Sequence, residues 1–479
     1  MNNATFIGRN NEIKQLNDLL SKKTSSLVVI KGRRRIGKSR LVEEFAKKTQ
    51  FYHFSGLAPA KNITAQDQRN EFALQLSQQT NIPELKVDDW TKLFSLLADK
   101  CQAGRIIVLL DEITWMAHGD DTFLSKLKNA WDMHLKKNPK LILVLCGSIS
   151  AWIEKNIISS TGYFGRVTLD LTINELPLND CNKLFEILGF HRSAHEKLIM
   201  LSLTGGVPWY IEQVRPNYSA IENIKELCFR QNGLLTKEYD HIFHDLFGIR
   251  STIYQKITGL LATGDLDYDA LATKLNYSKS TTLTEYLNDL VISGYLTQYH
   301  SWSLKTGDML PKLMKFRLSD NFLRFYFRYM KNKLRSILAG DYAGVSPASL
   351  PGWNTMLGLQ FENLVLKNRE LIFRSLSINP ADIVAHGPYF QRKTIRQQGC
   401  QIDYLIQTKY RTIIVCEIKF SQNPIGKEVI DKTKEKIARL ALPRGFAVVP
   451  VLIHVSEVTS AVYDADYFVK CIDFTDYLA

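Results

Sequence analysis

The chain has 479 residues, 45% of them hydrophobic, with a formal net charge of +13. That length exceeds one hydrophobic core and implies about three domains of ordinary soluble composition; the charge favours a polyanionic partner such as nucleic acid, or else marks a generally basic surface. No apolar run approaches the ~20 residues that span a bilayer. The start M-N-N-A-T-F-I-G-R does not read as a secretory signal, and seven scattered cysteines show no zinc or redox spacing, so reduced, buried thiols and a cytoplasmic, membrane-free protein are expected.

In chain order, L-V-V-I-K at residues 27–31 is a β-branched run typical of a buried parallel strand. A glycine loop follows, then a helical pattern over 40–48 with Leu41, Val42 and Phe45 on one side. I-I-V-L-L at 106–110 and L-I-L-V-L at 141–145 are two more buried strands with helical stretches between them. Such alternation implies a parallel sheet wrapped by helices. Amphipathic helices then dominate to about residue 250. From Thr252 to Gln298 the pattern is three helices and a short strand pair. It looks like a winged helix-turn-helix: Tyr268 to Leu275 is its first helix, Ser280 to Ser293 its recognition-type helix, Gly294 the stop, and Tyr295 to Thr297 the start of the wing. Residues 301–340 carry nine Lys and Arg against two Asp, together with aromatics that either track a nucleic-acid backbone or pack into a core. A-G-V-S-P-A-S-L-P-G-W at 343–353 reads as a linker. A second α/β pattern follows, with a helix over 355–367, strands at 402–407 and 412–419, a helix over 427–440 and a strand at 447–454. The resulting division is 1–173, 174–250, 251–300, 301–353 and 354–479.

Gly32 to Ser39 reads G-R-R-R-I-G-K-S between a strand and a helix. A phosphate loop needs glycines so that backbone N–H groups can close on phosphates, a lysine for the β/γ-phosphates and a hydroxyl for Mg²⁺. Gly32, Gly37, Lys38 and Ser39 meet those needs, and Arg33, Arg34, Arg35, Ile36 and Arg40 complete the expected ATP/ADP-binding stretch. Asp111 and Glu112 directly follow the strand I-I-V-L-L. Beside such a loop Asp111 is expected to hold Mg²⁺ through water and Glu112 to polarise the attacking water; the alternative is an acidic pair capping the next helix.

F-I-G-R-N-N-E-I-K-Q-L (Phe6 to Leu16), K-G-R-R-R-I-G-K-S-R-L, L-L-D-E, C-G-S-I-S and T-G-G-V-P-W-Y (Thr204 to Tyr210) resemble the successive motifs of the archaeal-type ATPase family, related to the STAND branch of AAA+ proteins. The resemblance covers roughly residues 1–230. It implies an AAA+-type P-loop sheet with a helical lid, with Phe6, Gly8 and Arg9 against the adenine and Pro208 approaching the nucleotide from the lid. It also implies Ser148 beside the γ-phosphate, a place where Ser148 otherwise simply ends a strand, and Arg166 as an arginine finger, otherwise a solvated side chain. In Cys146-Gly147-Ser148-Ile149-Ser150 the family's usual second serine directly after the first is replaced by Ile149.

Asp403 lies near one strand's start, and Glu417 and Lys419 share a face of the next by period-2 alternation. Two carboxylates with an open face can hold Mg²⁺ or Mn²⁺, and the lysine can activate a water; alternating strands with polar outer faces would read the same. The group resembles the PD-(D/E)xK nuclease core, with Glu362 in L-Q-F-E-N-L matching its helical glutamate. With the ATPase and winged-helix motifs, the whole resembles ATPases carrying a DUF234-type nuclease-like domain. K-F-R-L-S-D-N-F-L-R-F-Y-F-R-Y (Lys315 to Tyr329) is similar to that domain's start, with Asn321 in place of the usual proline. The resemblance implies an ATP-hydrolysing regulatory ATPase, possible as a homo-oligomer, coupled to a metal-dependent DNA nuclease in defence against foreign DNA. The alternative is a nucleotide-dependent switch whose C-terminal domain binds without cleaving. Ser278, Lys279, Ser280, Thr281 and Thr282 suit phosphate contacts, although winged helices also serve as packing domains.

Overall fold

The computed structural model describes residues 5–479 except 59, 61, 84, 85, 248–250, 278–280 and 396. Ser278, Lys279 and Ser280 therefore lie outside the described residues. The chain forms two compact units: residues 1–176 with 241–251 and 292–294, and residues 177–240, 252–291 and 295–479.

The first unit is built on strands β1 (Ser26–Lys31), β2 (Gln50–Ser55), β3 (Ile106–Asp111), β4 (Leu141–Gly147) and β5 (Val167–Thr172). They form one parallel sheet in the order β2-β3-β4-β1-β5. Every residue of β1, β3 and β4 is buried, which is why these three read as unbroken apolar runs. The edge strands β2 and β5 escaped the sequence reading because Q-F-Y-H-F-S and V-T-L-D-L-T alternate between buried and more exposed residues. Helices cover the sheet, and Phe72 stacks on Phe54 at 4.4 Å while Trp90 meets Phe123 edge-on at 4.8 Å. Such pairs add about 0.5–1.5 kcal/mol each beyond area burial. Because β3, β4 and β1 are neighbours, their carboxyl ends bring Asp111, Gly147 and the 32–39 loop to one edge, the place where open parallel sheets bind ligands.

The second unit begins with helices Leu178–Ile187, Ala194–Thr204, Pro208–Ile211 and Ala220–Cys228. Helices Ser251–Leu261, Tyr268–Leu275 and Thr281–Ile292 follow, with β6 (Leu266–Asp267), β7 (Leu296–Trp302) and β8 (Met309–Leu318) in an antiparallel sheet ordered β6-β8-β7. Helix Thr281–Ile292 buries Leu283, Leu287 and Leu290 and exposes Thr281 and Thr282. Within the basic aromatic stretch, Met309–Leu318 is a strand rather than a helix. Pro311 disfavours a helix interior, and the segment completes the ladder with β7 instead. Beyond it Phe322, Phe325, Tyr326 and Tyr329 are buried, so these aromatics are core. The Gly/Pro/Ser-rich stretch buries Pro347 and Leu350.

The chain ends in helix Trp353–Lys367, β9 (Ile383–Gln391), β10 (Cys400–Thr408), β11 (Thr412–Lys419), helix Glu428–Arg439, β12 (Ala447–His454) and β13 (Lys470–Asp473). The sheet order is β13-β12-β11-β10-β9, antiparallel among β9, β10 and β11 and parallel among β11, β12 and β13. β9 was not foreseen; as an edge strand it tolerates Gly387 and Pro388. Among the described residues no helix is long and apolar enough to cross a membrane. All seven cysteines are free thiols, six of them buried.

Candidate functional site

Gly32 leaves β1 where a Cβ would stand 2.5 Å from the Ile173 carbonyl oxygen. Glycine is therefore demanded by the close passage of the segment after β5. Gly37, at φ +90°, caps helix Lys38–Ala46 without a side-chain cap, leaving the first backbone N–H groups of that helix turned towards the loop. Arg35 also has positive φ, +65°.

Lys38 is buried and donates to the carbonyls of Gly32 at 3.0 Å and Arg33 at 3.1 Å and to Ser148 Oγ at 2.9 Å. Ser148 Oγ in turn donates to Glu112 Oε1 at 2.6 Å, and Ser148 N donates to Glu112 Oε2 at 3.2 Å. Glu112 holds positive φ, +49°, at the start of helix Ile113–Met116 and does not cap that helix with its side chain. The Glu112 carboxylate instead reaches across to Ser148 at the end of β4, while Asp111 Oδ1 accepts from Glu112 N at 3.0 Å. Ser39 Oγ donates to Asp111 Oδ2 at 2.6 Å. Burial would raise Asp111, but the nearby His53 ring and the hydrogen bond from Ser39 outweigh it and hold the carboxyl below its ordinary value.

The segment before the first helix lies against this loop. Arg9, buried and at φ +59°, donates to Ile36 O at 3.2 Å, and Arg40 donates to Thr5 O at 3.3 Å. Gly8, at φ +69°, and half-buried Phe6 sit in that segment. Arg33 is turned away from the loop's mouth to Glu175, 2.9 Å away, and Arg34 is half-buried. Sequence reasoning missed His53, whose Nε2 lies 3.6 Å from Asp111 Oδ2; the signal was a histidine in an unrecognised strand. It also missed buried Lys31, held by Asp170 at 2.7 Å and Glu154 at 2.9 Å. Burial would depress Lys31, and those two carboxylates raise it overall.

The structure does not bring Arg166 to this group. Its guanidinium grips Asp132 at 2.9 and 3.1 Å. Val167 pairs with Leu27 at the start of β1, whereas the loop follows the strand's end; a six-residue strand is roughly 20 Å long. Within one chain, then, Arg166 does not reach the phosphate loop. Pro208 belongs to the second unit, where it opens helix Pro208–Ile211.

In that second unit, Asp403 Oδ2 accepts from Ile418 N at 3.2 Å. Glu417 is fully buried, with Lys419 Nζ 2.7 Å from Oε1. Lys436, from helix Glu428–Arg439, donates to Glu417 Oε2 at 2.6 Å and Asp403 Oδ1 at 3.4 Å. Burial alone would depress Lys436; the charges of Asp403 and Glu417 outweigh it and hold its ammonium above the ordinary value. Asp403 is raised by burial and then by Glu417. Glu362 feels Asp403 and is raised mainly by burial, but its Oε2 is taken by Arg317 at 3.0 Å, which also reaches Asp265 at 2.9 Å. Lys436, which sequence reasoning missed, falls at the i+7 position of the buried stripe begun by Val429 and Thr433. Among the described residues no group of three or more His, Cys, Asp or Glu has a metal-holding arrangement. The cation between Asp403 and Glu417 is the Lys436 ammonium, so the two carboxylates expected from sequence to share a metal here share an ammonium.

Residues 6–214 match the family described as an ATPase domain predominantly from Archaea. The chain carries a P-loop ATPase domain. The fold is similar to that of the Walker-type ATPase of Pyrococcus abyssi, 18% identical with a TM-score of 0.50, the match covering 67% of this chain and 96% of that one. The ATPase is also similar over nearly its whole length to an uncharacterised protein of Methanocaldococcus jannaschii, 25% identical over 437 residues, or 91% of this chain and 90% of the relative.

Proposed function

We propose that the chain is a regulatory ATPase that binds and hydrolyses ATP in its first unit and so controls a C-terminal domain directed at nucleic acid. The observation supporting it is the relay Lys38–Ser148–Glu112 beside Ser39 and Asp111. Lys38 exchanges the Gly32 and Arg33 carbonyls for β/γ-phosphate oxygens, and the N–H groups opening helix Lys38–Ala46 cradle those phosphates. The Ser39 hydroxyl and Asp111 carboxylate are hard oxygen donors 2.6 Å apart. They would hold Mg²⁺, which would supply neutralisation of phosphate charge. Glu112, once Ser148 releases it, orients the attacking water and accepts its proton. Phe6, Gly8 and Arg9 flank the base. Glu112→Gln is expected to keep ATP binding and slow turnover; unchanged turnover would refute the assignment.

For the C-terminal domain the reading supported best is binding without cutting, because the Lys436 ammonium bridges Asp403 and Glu417 where a metal would sit. A second reading, Mg²⁺- or Mn²⁺-dependent DNA cleavage, is favoured by the convergence of Asp403, Glu417 and Lys419 on adjacent strands. Full-length protein incubated with DNA or RNA, either metal and ATP decides: cleavage lost in Glu417→Ala establishes the second reading, and intact substrate the first. The lid at 174–250, the winged helix at 251–300 and the nuclease-like domain at 354–479 belong to the same proposal. So does ATP-dependent homo-oligomerisation, which sedimentation with and without ATP tests.

A further inference from the structure

A cleft of about 700 Å³ opens at the far end of the C-terminal sheet, between the β7–β8 turn, the β10–β11 turn and the loop before β12. Its walls include Lys305, Lys409, Arg411 and Arg444, with Val384 and Phe446 between them. Asp403 lies five residues back along β10, roughly 16 Å away at ~3.3 Å per residue, so this cleft is separate from the carboxylate cluster. It is equally no part of the P-loop.

The backbone fixes the cleft's shape. Arg411 turns the β10–β11 hairpin at φ +57°, and its carbonyl accepts from Ala447 N at 2.9 Å. Lys409 N donates to Asp382 O at 2.9 Å. A Cβ at Gly307 would overlap Val384 Cγ1, so glycine lets the β7–β8 turn close against β9.

The charge is one-sided. Lys409 pairs with Asp382 at 2.6 Å; among the described residues Lys305, Arg411 and Arg444 form no ion pair. Three uncompensated like charges around one concave space repel each other, and a ligand with several closely spaced negative charges reverses that sign. Guanidinium forks suit phosphate oxygens. Half-buried Phe446 offers apolar surface for a base, and the volume lies in the roughly 300–1,000 Å³ range of ligand clefts.

We propose that this cleft binds the phosphates of a nucleotide, free or within a nucleic-acid strand. The test uses full-length protein carrying Lys38→Ala, which silences the P-loop, and three probes: a labelled 20-nucleotide single strand, ADP and inorganic tripolyphosphate. Adding Arg411→Asn and Arg444→Ala is expected to weaken the bound probe at least tenfold. Asn tolerates the positive φ at 411, and both arginines are exposed. For the strand, the slope of log K against log salt should fall by about 1.4, two contacts at ~0.7 each. Arg411→Lys with Arg444→Lys keeps the charge and should cost less than threefold. Tighter binding of the strand assigns the site to nucleic acid, and equal or tighter binding of ADP to a free nucleotide. Absence of binding by all three probes, or changes below twofold in the Asn/Ala variant, would overturn the proposal. Melting temperatures of the variants separate lost binding from lost fold.

Discussion

At the end of β1, Lys38 is satisfied by two carbonyls and a hydroxyl, and Asp111 and Glu112 by hydroxyls and an amide. At the end of β11, Glu417 is fully buried between Lys419 and Lys436, and Glu362 nearby is held by Arg317. Neutral partners can be exchanged for a ligand's phosphates without uncovering a charge. Ionic partners cannot, since removing one leaves its mate buried and unpaired, a loss of roughly 3–5 kcal/mol. The first cluster is arranged to change partners, and the second to keep them.

Four substitutions break or sharpen that contrast. Lys38→Ala should abolish ATP binding and hydrolysis while leaving the unfolding midpoint almost unchanged, by calorimetric titration and urea denaturation. Glu112→Gln should preserve affinity and lower kcat by about 10²–10⁴, the usual worth of a positioned base. Lys436→Met should instead leave ATP turnover intact and cost roughly 3–5 kcal/mol of stability near neutral pH. Its sign with pH is fixed by the direction of the Asp403 shift. A carboxyl raised in the folded state is penalised above its folded pKa, and that penalty vanishes as pH falls below the unfolded value of about 3.9. The Lys436→Met deficit should therefore shrink on acidification, measured as the urea midpoint against pH. In the parent, the raised Lys436 contributes stability below its unfolded pKa of about 10.4 and loses it as pH rises through the folded value. Ser148→Ala should have the smallest effect, about tenfold on kcat, because it frees Glu112 and removes one of Lys38's three partners.

The phosphate loop and the Asp111-Glu112 pair were legible because their chemistry fixes residue types at close spacing, and the three central strands because burial on both faces leaves no polar residue to interrupt them. β2, β5 and β9 were not, since an edge strand's identity depends on its neighbour. Arg166 was misplaced because sequence order does not say at which end of a parallel strand a residue lies. Lys436 and Arg317 were passed over because a charged side chain within an apolar stripe declares its partner only once distant strands meet it.

Gln360 donates to the carbonyls of Ser202 at 2.8 Å and Asn321 at 2.7 Å, and Arg317 spans Asp265 and Glu362. These ties decide where the polypeptide can be divided. A fragment beginning at residue 354 would carry Glu362 without its guanidinium and Gln360 without both acceptors. Residues that look like separable modules along the chain should melt as one cooperative block, and limited proteolysis in the 343–353 stretch should nick the protein without releasing an independently folded tail.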